Sequence, residues 1–401
     1  MAASGPLLGL KVIELAHIMA GPVCGQLLAD MGADVIKVEK VPGGDDTRRM
    51  VPPEVDGESA AFMILNRNKR GTAINLKSEN GRSVLRRMLA TADVVIENYR
   101  VGTMEGLGLG YETLHQQNPG LIYCQITGFG RTGPYADRPG FDLIAQGMSG
   151  LMSVTGEGAG RPPIKAGVPV GDISAGMLAA MGILAAYIHR LKTGAGQLVD
   201  TSLLEGSIVN TAWVSAIFLA TGISPQALGT AHPMAAPYQA LQTADGWINI
   251  GAANQANWLR LVEVIEIPEL AQDPRFVDNA ARMQNLPALI EILSEKLIQR
   301  NAADWLARLE AVGVPASPVL SIGEMLADPQ VIARDMVVEV EHSRLGRTRA
   351  LGSPVKFSDT PTRIARGAPQ LGEHTREILV EYGYDSSEIE DLAAAGDVIL
   401  L

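Results

Sequence analysis

Asp172 is the residue around which chemistry is most readily built in this chain of 401 residues. It lies in the stretch Gly167–Gly206, at the mouth of a long apolar helix that a glycine-rich turn follows. Ser174 and Gly176 mark the predicted start of that helix, His189, Arg190 and Lys192 its last turn, and Gly194 its stop. Unpaired N–H groups and the helix dipole favour a carboxylate at such an N-terminus. Asp172 therefore reads either as an N-cap or as a nucleophilic carboxylate, and the helix pattern leaves both open. In the second reading, backbone N–H groups near the helix start hold the oxyanions formed at each addition. Met177, Met181, Leu184, Ile188 and Leu191 step by four and three, the stripe expected to face a core.

The elements that must position such a residue belong to a large globular protein. Hydrophobic residues make up 47% and charged ones 19%, the balance of a soluble enzyme, and the length predicts two domains. A net charge of −11 argues against nucleic-acid partners, so an anionic ligand needs a local basic patch. The longest apolar run, Met177–Ile188, is too short to span a bilayer. The N-terminal stretch MAASGPLLGL lacks the basic and apolar regions of a secretion signal. Cys24 and Cys124 are the only cysteines and have no metal-ligand spacing, which suits a reducing cytoplasm.

Leu10–Leu15, a turn at Ala20-Gly21-Pro22, a helix to Met31 and Asp34–Glu39 spell a βαβ unit, hence a parallel sheet flanked by helices. Thr72–Leu76, Asp93–Glu97 and Leu121–Ile126 read as further strands, with a helix over Gly81–Ala92. Glu39 ends a strand where an acid can hold a ribose, but the first turn has only Gly21 and Gly25, not the dinucleotide fingerprint. After Gly206 the helix is expected to run on to about Leu219. Ala220–Pro237 and Val314–Leu320 read as connectors around a strand, Gly246–Gly251, and three helices. Met336–His342 alternates as a strand, with Arg347–Lys356 its expected partner.

The segments Val12–Pro22, Gly32–Glu39, Gly44–Arg48, Asn66–Arg70, Glu97-Asn98-Tyr99, Gly128–Pro134, Gly171-Asp172 and Lys192–Val199, in this order, make the chain resemble the class III CoA-transferases from Leu10 to about Leu379. Gly229–Gly251 looks most like the branch that handles dicarboxylates. The resemblance implies an α/β fold with a Rossmann-like parallel sheet in a large domain, residues 1–219, to which residues 331–401 return. It also implies a smaller inserted α+β domain over residues 220–330 and an interlocked homodimer. Asp172 is then the covalent nucleophile, moving CoA from a donor such as succinyl-CoA to a dicarboxylic acid. Coenzyme A is a co-substrate, and no tightly bound cofactor or metal is expected.

By position in the family pattern, His17, Ile18, Ala20, Lys40, Ile74, Lys77 and Asn98 follow the path of CoA, and Leu203 stands near its thiol end. Gly106 occupies a place that is often basic, which leaves Arg100 or Arg138 to meet the phosphates. The family's glycine loop corresponds to Gly251–Asn254. Arg48 and His232 are candidates for holding a distal carboxylate, and Asp142 is a candidate acid near Asp172. The related α-methylacyl-CoA racemases need a His where this chain has Phe141, and Phe cannot carry a proton. Racemase chemistry is therefore the alternative reading.

Overall fold

The computed structural model describes residues 5–401; the first four residues of the N-terminal stretch lie outside them. Contacts divide the chain into two units. One comprises Met1–Leu151, Ala166–Thr211 and Pro329–Leu401, the other Met152–Lys165 and Ala212–Asp328.

The first unit is built on seven strands: β1 (Lys11–Glu14), β2 (Asp34–Lys40), β3 (Arg70–Ile74), β4 (Val94–Glu97), β5 (Ile122–Thr127), β6 (Leu198–Ser202) and β7 (Val398–Ile399). Their order is β7-β3-β2-β1-β4-β5-β6, and every pair is parallel except β7 on β3. The chain winds outward from β1 to β3 and then crosses back to lay β4 beside β1. That reversal is the place where open parallel sheets bind ligands. Successive strand residues point to opposite faces. Val12, Val94, Ile96, Ile122 and Ile126 pack one face under α1 (Ala20–Asp30). Ile13, Leu15, Ile36, Val95 and Tyr123 pack the other under α2 (Glu79–Leu89) and the C-terminal helices. The first five expected strands are β1 to β5, displaced by at most two residues. β6 is missed because LVDTS lacks a clear alternation.

Two short helices, α3 (Asp142–Met148) and α5 (Leu203–Val209), flank the long α4 (Val170–Thr193). α4 starts four residues before the expected Ser174, behind Pro169, whose fixed φ suits a helix entry. It ends where expected: Gly194 takes φ 79° and its N–H donates to the Arg190 carbonyl. At 24 residues α4 is longer than the run Met177–Ile188, and by length and composition alone it could cross a bilayer. One side of it packs into the core, yet not on the expected stripe. The buried side is Ala175, Gly176, Ala179, Ala180, Ile183 and Ala186, while Met177, Met181, Ile188 and Leu191 are 50 to 68% exposed. Small residues win the interior because α1 comes very close: a Cβ on Gly176 would lie 2.6 Å from the Ala20 carbonyl oxygen.

The helix expected to run through to Leu219 breaks instead at Asn210, whose amide donates to the Gly206 carbonyl and to Ser174. The second unit has a three-stranded antiparallel sheet with Trp247–Gly251 at its centre, between Tyr238–Gln242 and Ala316–Pro318. Helices Gln255–Val264, Leu286–Leu297 and Ala302–Ala311 bury Trp258, Leu261, Leu293 and Trp305 in its own core. Back in the first unit, Val337–His342 pairs with Gly346–Leu351 as an antiparallel hairpin.

Candidate active site

A cavity of about 440 Å³ opens at the carboxyl ends of β1, β4 and β5. His17, Ile18, Met19 and Ala20 enter it from the turn after β1, and Asn98, Tyr99, Arg100 and Val101 from the turn after β4. Gly128, the segment Ala136–Asp142, Asp172 and Leu203 complete most of the wall.

The β1 turn is held in an unusual shape. Ile18 has φ 66°, a left-handed conformation that a β-branched residue rarely adopts. Its N–H donates to both carboxylate oxygens of Asp45, at 3.1 and 3.2 Å. Asn98 brackets the preceding residue, accepting from the His17 N–H at 2.9 Å and donating to its carbonyl at 2.8 Å. Asp45 in turn accepts from the Thr47 N–H and hydroxyl and pairs with Lys37 at 2.9 Å. Lys37 also pairs with Glu14 at 3.1 Å and donates to the Ala16 carbonyl, while Lys69 meets Glu14 at 2.8 Å. These four charged side chains are at most 1% exposed. Burial opposes the charge on Asp45, but Lys37 and the N–H donors outweigh it and hold the carboxyl well below the usual range. Burial likewise opposes the Lys37 ammonium and is overcome by Glu14, Asp45 and Glu39, whereas burial pulls Lys69 down to about 8.

Asp172 is the third residue of α4 and half-buried, so it is not the N-cap. The capping is done from a distance. Asp142, at the start of α3, accepts from the N–H of Gly171 at 2.8 Å and of Asp172 at 3.4 Å. Its other oxygen accepts from the buried Gln146 amide at 2.6 Å, and Gln146 accepts from the Ala166 N–H at 2.9 Å. Two close approaches make this possible. A Cβ on Gly128 would lie 2.7 Å from the Gly140 Cα, and one on Gly171 would lie 3.0 Å from Asp142 Oδ1. Burial, and then the Asp142 charge, push the Asp172 carboxyl up to about 7. The helix-start N–H groups expected to hold oxyanions are thus already engaged: Gly171 and Asp172 by Asp142, and Ile173 by the Pro169 carbonyl.

Among the expected site residues, His17, Ile18, Ala20, Asn98, Arg100, Arg138, Leu203, Asp142 and Asp172 share this one cavity. Burial lowers the His17 imidazole below its ordinary value, and Arg138 lies over the Tyr135 ring at 3.9 Å. Lys40 is exposed and paired with Asp46 at 2.6 Å, lining a smaller cleft beside the cavity. Lys77 stands on the surface and does not line the cavity. Two more lie apart from the cavity. Ile74 is buried in the sheet core and does not line it. Arg48 makes a two-pronged pair with Glu39, both contacts at 2.7 Å, lies 3.6 Å over the Phe62 ring, and does not line the cavity. Its guanidinium is spent on the fold rather than presented to a carboxylate.

His232, Gly251 and Asn254 belong to the second unit. His232 accepts from the Met234 N–H and packs edge-on to Tyr238; Asn254 caps helix Gln255–Val264 by accepting from the Asn257 N–H at 2.8 Å. Gly251 lines a shallow pocket with Tyr238, Asn249 and Ser317. Sequence reasoning missed Asp45, Asp46 and Tyr99. The segment Gly44–Arg48 was singled out, but nothing local ties its first Asp to a backbone N–H 27 positions earlier.

The family profile described as CoA-transferase family III matches residues 7–375. The succinate–glutarate CoA-transferase of Agrobacterium fabrum is 45% identical over 382 residues, spanning 94% of this chain and 95% of that protein. The succinyl-CoA:glutarate CoA-transferase of Homo sapiens is 38% identical, spanning 98% of this chain and 90% of that one. A crystal structure of a CAIB/BAIF family protein from Brucella suis superposes with a TM-score of 0.84 at 44% identity, over 94% of this chain and all of that one.

Proposed function

Because the chain belongs to CoA-transferase family III, we propose that it moves CoA from succinyl-CoA to a dicarboxylic acid of glutarate size, with Asp172 as the covalent nucleophile. The observation that carries this is a half-buried carboxylate, pushed up to about 7, in the wall of a cavity at the sheet's switch point. Desolvation raises the energy of such a carboxylate, which makes it a better attacking group once deprotonated.

A carboxylate oxygen of Asp172 attacks the thioester carbon, the C–S bond breaks, and CoA leaves as thiolate with the electron pair. The product is a mixed anhydride between Asp172 and the donor acyl group. Thiolate then adds to the Asp172 carbonyl, the donor acid departs with the bridging oxygen, and an aspartyl thioester remains. The acceptor carboxylate repeats both steps in reverse and regenerates Asp172. No net proton is taken up, so the site needs charge stabilisation rather than an acid–base pair. His17, Ile18, Ala20, Asn98 and Leu203 are read as lining the pantetheine path, with Arg100 and Arg138 meeting the phosphates. The cytoplasm, where CoA thioesters are plentiful, is the compartment this reading implies.

Isotope exchange between labelled succinate and succinyl-CoA tests the proposal. Asp172→Asn is expected to lose about 10³-fold or more of that exchange. Hydroxylamine trapping with an acyl-CoA should mark the peptide carrying Asp172. Full exchange in the Asn variant would overturn the assignment.

A further inference from the structure

Asp142 touches the nucleophile's backbone, carries a charge, and sits where the proposed chemistry gives it no step. Its surroundings restrict what it can do. One oxygen accepts from the N–H groups of Gly171 and Asp172, and the other accepts from Gln146. Gln146 is fully buried and anchored through its own carbonyl to the Ala166 N–H, so its amide nitrogen is obliged to face Asp142. Every partner of Asp142 is a donor. Three of the carboxylate's roughly four lone-pair sites are taken by N–H donors, and both of its oxygens are fixed by them.

We propose that Asp142 is a positioning residue that keeps a fixed negative charge beside Asp172, so that the free nucleophile is destabilised relative to its acylated forms. When Asp172 becomes an anhydride or thioester its charge disappears, and with it the repulsion from Asp142. The same contact caps α4, so the capping interaction and the charge both act at the nucleophile's turn. Burial and this one neighbour push Asp172 upward. The other charged or titratable groups around the cavity are His17 after β1, Asp46 after β2, Tyr99 and Arg100 after β4, and Asp137 with Arg138 before α3. On α5, Glu205 is turned to Ser202. None of these shifts Asp172. The inference rests on Asp172 being the nucleophile.

The test is the pH dependence of kcat/KM for CoA exchange in the wild type, Asp142→Asn, Asp142→Glu and Asp172→Asn. Only ionised Asp172 attacks, so the wild-type rate is expected to fall tenfold per pH unit below about pH 7. In Asp142→Asn the neighbouring charge is gone, and the acidic limb should move to lower pH while the plateau drops. Asp142→Glu keeps the charge and should keep the limb near its wild-type position, whatever it loses in rate. A merely structural Asp142 would lower the plateau in both variants and leave both limbs in place, which overturns the inference. A wild-type limb below about pH 5 overturns it too, and that measurement stands if the variants fail to fold. Retained exchange in Asp172→Asn would instead overturn the assignment of the nucleophile.

Discussion

The His17-Ile18 turn shows how far a binding loop depends on groups that never meet the ligand. A left-handed Ile costs of order 1 kcal/mol or more, and it persists because Asp45 holds the Ile18 N–H while Asn98 holds the N–H and carbonyl of His17. Asp45→Asn keeps a carbonyl acceptor for Ile18 but presents an amide to Lys37. The expected result is a KM for acyl-CoA raised about tenfold, roughly 1.4 kcal/mol, with kcat less affected. Lys37→Met leaves Glu14 and Asp45 buried without their shared cation, and a loss of about 3–5 kcal/mol is expected in denaturant unfolding. Glu97 offers a separate test. Burial pushes its carboxyl up to about 8, although Tyr99 N–H and Tyr123 hydroxyl donate to it. A folded-state value above the unfolded one near 4.3 means the native protein holds the extra proton. Its contribution is complete below pH 4 and is lost as pH rises through 8, at no more than about 1.4 kcal/mol per pH unit. Glu97→Gln should flatten that decline in thermal unfolding followed across pH 5 to 8.

At the scale of elements, α4 shows what periodicity carries and what it leaves out. The spacing of Met177, Met181, Leu184, Ile188 and Leu191 correctly announces a helix with an apolar side. It says nothing about which neighbour covers that side. The alanine and glycine face won the sheet because it admits α1 at backbone distance, and no hydrophobicity count ranks Ala above Met. The start of α4 was illegible for a related reason: its cap, Asp142, lies 29 positions upstream of Gly171. The strands β1 to β5, by contrast, are plain in the sequence, since each is a short apolar run between turn signals, whereas β6, with its LVDTS, is not. Nine expected site residues share one cavity because motifs at strand ends converge wherever a parallel sheet forms. Arg48 escaped the reading because its partner Glu39 belongs to another element. Gly176→Ala probes the α1–α4 contact. Its methyl would press on the Ala20 carbonyl, so a loss of about 1–3 kcal/mol is expected, along with a raised KM for acyl-CoA through displacement of Ala20.

For the whole molecule, the outward stripe on α4 is not alone. Phe141, Leu143, Ile144 and Met148 at α3, with Ile208 and Val209 on α5, are exposed as well. Apolar surface of this extent on one unit calls for a cover, and we propose a second copy of the chain as the cover. Light scattering after size exclusion should return twice the monomer mass of 42.5 kDa. Met181→Glu with Ile188→Glu should shift it to monomer and cut exchange activity, whereas a monomeric wild type would refute the pairing.

Arg70 has a bearing on how the protein is made. It sits on β3 among Asp34, Glu377 and Glu381, and the last of these is 311 positions further along the chain. A nascent polypeptide therefore leaves the ribosome with this sheet margin open, an arginine short of two counterions and a strand whose outer hydrogen bonds have no taker. Synthesis of the intervening segment must finish before that margin closes. Stalled or prematurely terminated translation would thus strand a sticky intermediate of the kind chaperones retain.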